Sequence, residues 1–183
     1  MPKLKIADLR KYLAKLSRKE LEDEIVQLAK NYEHVSEYFC VKVHPDCEDV
    51  LLEECESFIR NEFVSDAGFG EIDYGDIIDT IENFVKISKK PANVVKLLFC
   101  YLESCVEYVQ RYPDIGIIVS KDVEKAYERA LNIAFKNDMS KDFYQEAINI
   151  LLGAQNSILR FSANIYKIFA SYYDNHPNNL EKK

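Results

Sequence analysis

Residues 91–112 read PANVVKLLFCYLESCVEYVQRY, and the reading of this stretch decides the fold. Pro91 stands where a first helical turn tolerates proline, and Pro113 stops the far end. At about 100° per residue, Asn93, Lys96, Cys100, Glu103, Ser104, Glu107, Gln110 and Arg111 share one narrow strip. The remaining circumference is apolar, from Val94 and Val95 through Leu98, Phe99 and Leu102 to Val109. A helix apolar over most of its surface needs neighbours on several sides. The stretch is expected to be the central helix of a bundle, with the polar strip as its one opening to water. Ionisable groups inside a span of roughly 20 residues argue against a membrane crossing.

The segments on either side repeat the helical signal. Ile6, Leu9, Tyr12, Leu13 and Leu16 share a face, and Ser17 to Glu20 form a capping box that opens a second helix. In that second helix Leu21, Ile25, Leu28 and Ala29 are expected to point inward, making residues 1–32 a helical hairpin. Further helices are expected over 33–43, from Asp46 to about Phe63, from Asp76 to Lys90, and from Ser120 or Asp122 to Phe135. Two more follow, one after a Ser140 cap and one over Ile158 to Tyr173. Gly153 is expected to end or bend the helix it lies in, and Pro113 to Gly116 to form a turn. No strand-like alternation lasts more than a few residues. The expected fold is all-α: a single domain over 1–174, of eight or nine helices around the 91–112 helix, with a flexible tail at 175–183. Successive helical pairs are compatible with a HEAT-like stack, although no repeated sequence is visible.

At 183 residues, with 48% hydrophobic and 30% charged side chains, the chain suits one globular core. Only five glycines and five prolines are present, which disfavours a turn-rich β fold. The opening residues have no apolar h-region, so a cytoplasmic protein is expected. The five cysteines are then read as buried thiols. Net charge is −7 and unevenly spread: residues 1–30 carry +3, residues 31–79 carry −12, and residues 80–183 carry +2. A net acidic chain repels phosphate backbones, so nucleic acid is not the natural partner.

Each candidate for chemistry has a plainer account. Cys40, His44 and Cys47, with Cys55 beyond, offer zinc-type ligands. They lack paired C-x2-C spacing, and Cys47 and Cys55 fall on a face needed for packing. Glu71, Asp73, Asp76 and Asp79 are dense enough for a hard cation but match no EF-hand, and acidic residues ahead of a helix are ordinary capping. Glu103 and Glu107 lie one turn apart and could share a metal or a proton. No Glu-x-x-His partner exists for them, so a solvated Glu107–Arg111 pair is the better account. There is no G-x-S-x-G elbow, P-loop or dinucleotide fingerprint. The basic hairpin face (Lys11, Lys15, Lys19) is loosely similar to a SAP-type DNA-binding hairpin but lacks the loop glycine.

Four stretches carry a resemblance: LRKYLAKLSRKELEDEIVQLAKNYEHVSEYF, IIDTIENFVKISKKP, LLFCYLESCVEYVQRYPDI and KAYERAL. In this order, over residues 4–135, they resemble an uncharacterised bacterial family of small helical proteins known only as a domain of unknown function. The resemblance implies helices and a bacterial cytoplasm, and it carries over no functional residue or cofactor.

The favoured expectation is a non-enzymatic helical interaction module, binding protein or a second copy, with Phe169, Tyr172 and Tyr173 as contact anchors. The plainer account of these three is that they close the core. The alternatives are a metal-dependent or carboxylate-based enzyme using Glu103 and Glu107, and nucleic-acid binding through the hairpin.

Overall fold

The computed structural model describes residues 3–44, 46–63, 72–111, 120–155 and 162–174. Among them are nine helices and no strand: α1 Ile6–Leu13, α2 Arg18–Asn31, α3 Glu33–Val43, α4 Cys47–Phe63, α5 Tyr74–Ile87, α6 Pro91–Arg111, α7 Ser120–Lys136, α8 Tyr144–Gln155 and α9 Ser162–Tyr173. The expected turn at 113–116, the Ile158 to Phe161 part of the last run, Glu71 and the tail at 175–183 lie outside the described residues. The chain forms two compact units, Met1–Cys47 and Glu48–Lys183.

The first unit holds α1 to α3. Ser17 starts α2 as expected: its hydroxyl accepts the Glu20 N–H at 3.3 Å, and its own N–H donates to Glu20 Oε2 at 2.7 Å. The Tyr12 hydroxyl donates to Glu24 Oε1 at 2.8 Å, linking α1 to α2. Ile25 and Leu28, expected inward, are 44% and 45% exposed, and neither α1 nor α2 buries any residue. The periodicity is present but the cover is not.

In the second unit α6 is the central rod. Thirteen of its 21 residues are buried, and α5, α7 and α8 pack along it. The polar strip is not uniformly wet. Lys96, Glu107, Gln110 and Arg111 are exposed, but Asn93, Cys100 and Ser104 are buried. Neighbouring groups satisfy them: Asn93 donates to Asp49 Oδ1 at 2.9 Å, and the Ser104 hydroxyl donates to the Cys100 carbonyl at 2.9 Å. Around the rod, α4 contributes Leu51, Leu52, Ile59 and Phe63, and α5 contributes Ile77, Ile81 and Phe84. Tyr127 of α7 is wholly buried, and its hydroxyl donates to the Ala147 carbonyl of α8 at 2.9 Å.

The α7–α8 connection corrects two expectations. Asp138 adopts a left-handed φ of 57°. The Met139 N–H then returns to the Ala134 carbonyl at 2.8 Å, and the Asp138 N–H to the Phe135 carbonyl at 3.3 Å. These two bonds make a Schellman stop with aspartate where glycine is usual. Helix α8 therefore begins at Tyr144 rather than at a Ser140 cap. Ser140 is buried, and its carbonyl accepts the Tyr173 hydroxyl at 2.9 Å. Gly153 does not end α8, which runs through it to Gln155. A Cβ there would meet Val106 Cγ1 at 2.5 Å, so glycine is what lets α8 approach α6.

Candidate functional site

The sequence-level candidates fall in four places. Cys40 and Cys47 are joined by a disulfide, so they are not thiolate ligands, and His44 beside them is exposed. This corrects the reading of all five cysteines as thiols; Cys55, Cys100 and Cys105 are thiols and buried. Among the described residues, no group of three or more His, Cys, Asp or Glu is arranged to hold a metal ion. Asp73 of the acidic stretch caps α5, accepting the Gly75 and Asp76 N–H groups at 3.0 and 3.2 Å.

Glu103 opens onto a cleft of about 160 Å³ in the second unit, lined by Glu56 and Arg60 of α4, Lys96 and Cys100 of α6, and Glu146 of α8. Burial is the main cause that raises the Glu103 carboxyl above its usual range. Arg60 opposes the rise, while Glu146, Glu107 and Glu56 add to it. Glu107 is exposed. Cys100 is no nucleophile at neutral pH, because burial pushes its thiol up to about 12. Such a cleft disfavours the charged form of Glu103, and it brings together no activated nucleophile. A second cleft of about 190 Å³, floored by Ile81, Leu98 and Tyr101, is rimmed by an Arg129–Glu82 pair and a Lys125–Asp122 pair. Its charges are matched within the chain.

On α9, Phe169 and Tyr173 are buried and Tyr172 is half-buried. They join Phe135 and Tyr144 in one aromatic cluster, with the Phe169 and Tyr173 centroids 4.7 Å apart. That placement closes the helical core. Lys11, Lys15 and Lys19 are exposed on the first unit.

The surface that stands out is apolar. In the first unit Leu4, Ile6, Tyr12, Ile25, Val26, Leu28, Tyr32, Tyr38 and Val43 each expose between 38% and 68% of their area. A globular domain seldom leaves so many large apolar side chains wet in so short a stretch. Sequence periodicity assigned Ile6, Tyr12, Ile25, Leu28 and Tyr38 to the interior, and of the residues on those same faces Leu9, Leu13, Leu16 and Leu21 are half-buried.

The sequence places Glu48 outside the buried stripe of its helix, as an acidic residue that the helix dipole favours, and gives no sign of its burial. Glu48 is 2% exposed at the start of α4, and all its bonds go to the segment entering α6. Oε1 accepts the Ser88 hydroxyl at 2.6 Å, the Lys90 N–H at 3.1 Å and the Asn93 amide at 3.3 Å; Oε2 accepts the Lys89 N–H at 3.0 Å. Burial alone would raise this carboxyl, but those hydrogen bonds outweigh it and hold it below the usual range. It is a cap supplied from another helix. Only Ser88 just ahead of Lys89-Lys90-Pro91 hinted that the entry to α6 needed one.

Among the described residues, no helix is long and apolar enough to cross a membrane. No curated protein and no solved structure matches the chain. The match that exists extends beyond the resemblance seen in the sequence, into α9, and is described as a family of unknown function. Matched from residue 4 to residue 175, the chain belongs to DUF6155.

Proposed function

We propose that this protein is a non-enzymatic helical module of the bacterial cytoplasm that works by binding protein through its first unit. One observation supports the reading: α1 and α2 bury none of their residues, yet both carry apolar side chains at helical spacing. Helices of eight and 14 residues draw most of their stability from packing, so an uncovered stripe of this kind is one that another chain covers. Photocrosslinking in intact source cells tests the reading. A photoreactive residue at Leu28 is expected to capture protein, whereas one at the exposed Ser57 of α4 is not. Equal capture at both positions, or none at Leu28, overturns it.

A further inference from the structure

The first turn of α4 carries the polar grip on the entry to α6. Beside the four bonds that Glu48 accepts, its neighbour Asp49 accepts the Asn93 amide at 2.9 Å and the Lys90 ammonium at 2.7 Å. Six bonds to residues 88–93 therefore hang on two consecutive side chains of one turn. A terminal turn is the part of a helix that frays first, because its N–H groups have no partner inside the helix. Here the residue that precedes Glu48 and opens α4 is Cys47, and its sulfur is bonded to Cys40 of α3. The covalent tie fixes the turn at its outermost residue, so the two carboxylates next in line stay aimed.

The tie is also placed to open and close in the folded protein. Cys40 and Cys47 are half-buried, whereas Cys55, Cys100 and Cys105 are buried thiols. Accessible disulfides are the ones that exchange with thiols. The ring is short, seven residues from one cysteine to the other, so breaking it sets little chain free. Backbone bonds span the same turn: the His44 N–H donates to the Cys40 carbonyl at 2.8 Å, and the Cys47 N–H to the His44 carbonyl at 3.2 Å. Once the sulfur–sulfur bond is broken, these keep the two thiols close enough to re-form it.

Independently of the interaction reading above, we propose that Cys40–Cys47 is a reversible redox switch that tightens and loosens the grip of α4 on the start of α6. Opening needs a dithiol. Its thiolate attacks one sulfur, a mixed disulfide forms, and its second thiol then releases the protein with two thiols. The protein pair gains two electrons and two protons, and the dithiol leaves as its own disulfide. Amide hydrogen exchange on the full-length protein, oxidised and after treatment with dithiothreitol, tests the switch. Reduction should speed exchange of the Lys89 and Lys90 N–H groups, which Glu48 holds, by about tenfold more than that of Leu98 in the buried middle of α6. Reoxidation should restore the slower rates. Cys40→Ser, which leaves α4 untouched, should reproduce the reduced pattern without any reductant. Equal acceleration at all three amides would be a general loss of stability and overturns the proposal. Unchanged rates overturn it too, as does a disulfide that dithiothreitol opens only when the protein unfolds.

Discussion

Glu48 and Ser88, forty residues apart in sequence, share a 2.6 Å hydrogen bond in which the hydroxyl donates to a buried carboxylate. The same carboxylate takes up the Lys89 and Lys90 N–H groups ahead of Pro91. Helix α6 thus begins on an anion lent by α4, where backbone donors and the helix dipole both favour negative charge. Glu48→Ala is expected to destabilise the protein by about 3 kcal/mol, because a charge-assisted acceptor goes and several buried donors are orphaned. Glu48→Gln should cost less, and urea midpoints compare the two. A change below about 0.5 kcal/mol for the alanine variant would show that the clamp is dispensable.

The clamp also sets an acid limb. Its hydrogen bonds hold the folded carboxyl below its unfolded value of about 4.3, so its contribution is complete above that pH and is lost as pH falls through the folded value. Denaturation profiles between pH 7 and pH 3 should therefore decline more steeply for the natural protein than for Glu48→Gln. Parallel profiles would remove Glu48 from the account.

Glu103 has the opposite sign. Burial raises its folded carboxyl, so ionisation is penalised in the native state. The penalty is absent below the unfolded value and complete above the folded one. Glu103→Gln is expected to stabilise at pH 7 by under about 1 kcal/mol, with the difference vanishing near pH 4. A loss of stability at neutral pH would contradict this.

Gly153→Ala sets two effects against each other. Alanine is better than glycine in a helix by about 1 kcal/mol, while a Cβ 2.5 Å from Val106 Cγ1 forces repacking that costs about 1–3 kcal/mol. Net destabilisation is expected, reversed in part when Val106→Ala is added. A double-mutant cycle with no coupling would mean that the close approach is not what glycine is for.

Asp138→Gly should stabilise by about 0.5–1 kcal/mol, since the residue occupies a left-handed position that glycine takes without steric cost. Thermal melts suffice to check it.

Thiol reactivity checks the cysteine assignment. Air-purified protein, once denatured, should expose three thiols to a chromogenic disulfide reagent, and five after reduction. The folded protein should react slowly, because burial pushes the Cys100 and Cys105 thiols up and so suppresses thiolate.

Much of the fold was readable in the residues. The expected central helix forms as α6 over Pro91–Arg111, because a nearly all-round apolar helix has one stable environment. The Ser17–Glu20 box formed because its logic is local. What could not be read depends on partners distant in sequence. Asn93 looked like a water-facing residue until Asp49 and Glu48 came within reach from α4. Ile25 and Leu28 looked like core until their surroundings were seen. Cys40 and Cys47, seven residues apart, gave no sign of pairing, since spacing alone does not fix the direction of two Cβ bonds. The aromatic cluster of α9 was found by periodicity, and whether it faced inward or outward was decided by Phe135 and Tyr144.

Dissection of the molecule is constrained by where the α6 clamp lies. The second compact unit opens at Glu48, the very side chain on which the entry to its central rod is fastened. A shortened version lacking the amino-terminal hairpin must therefore start upstream of residue 48. Trimming even a few positions further would unfasten the rod from within, and the fragment would melt early for a reason unrelated to the deleted helices.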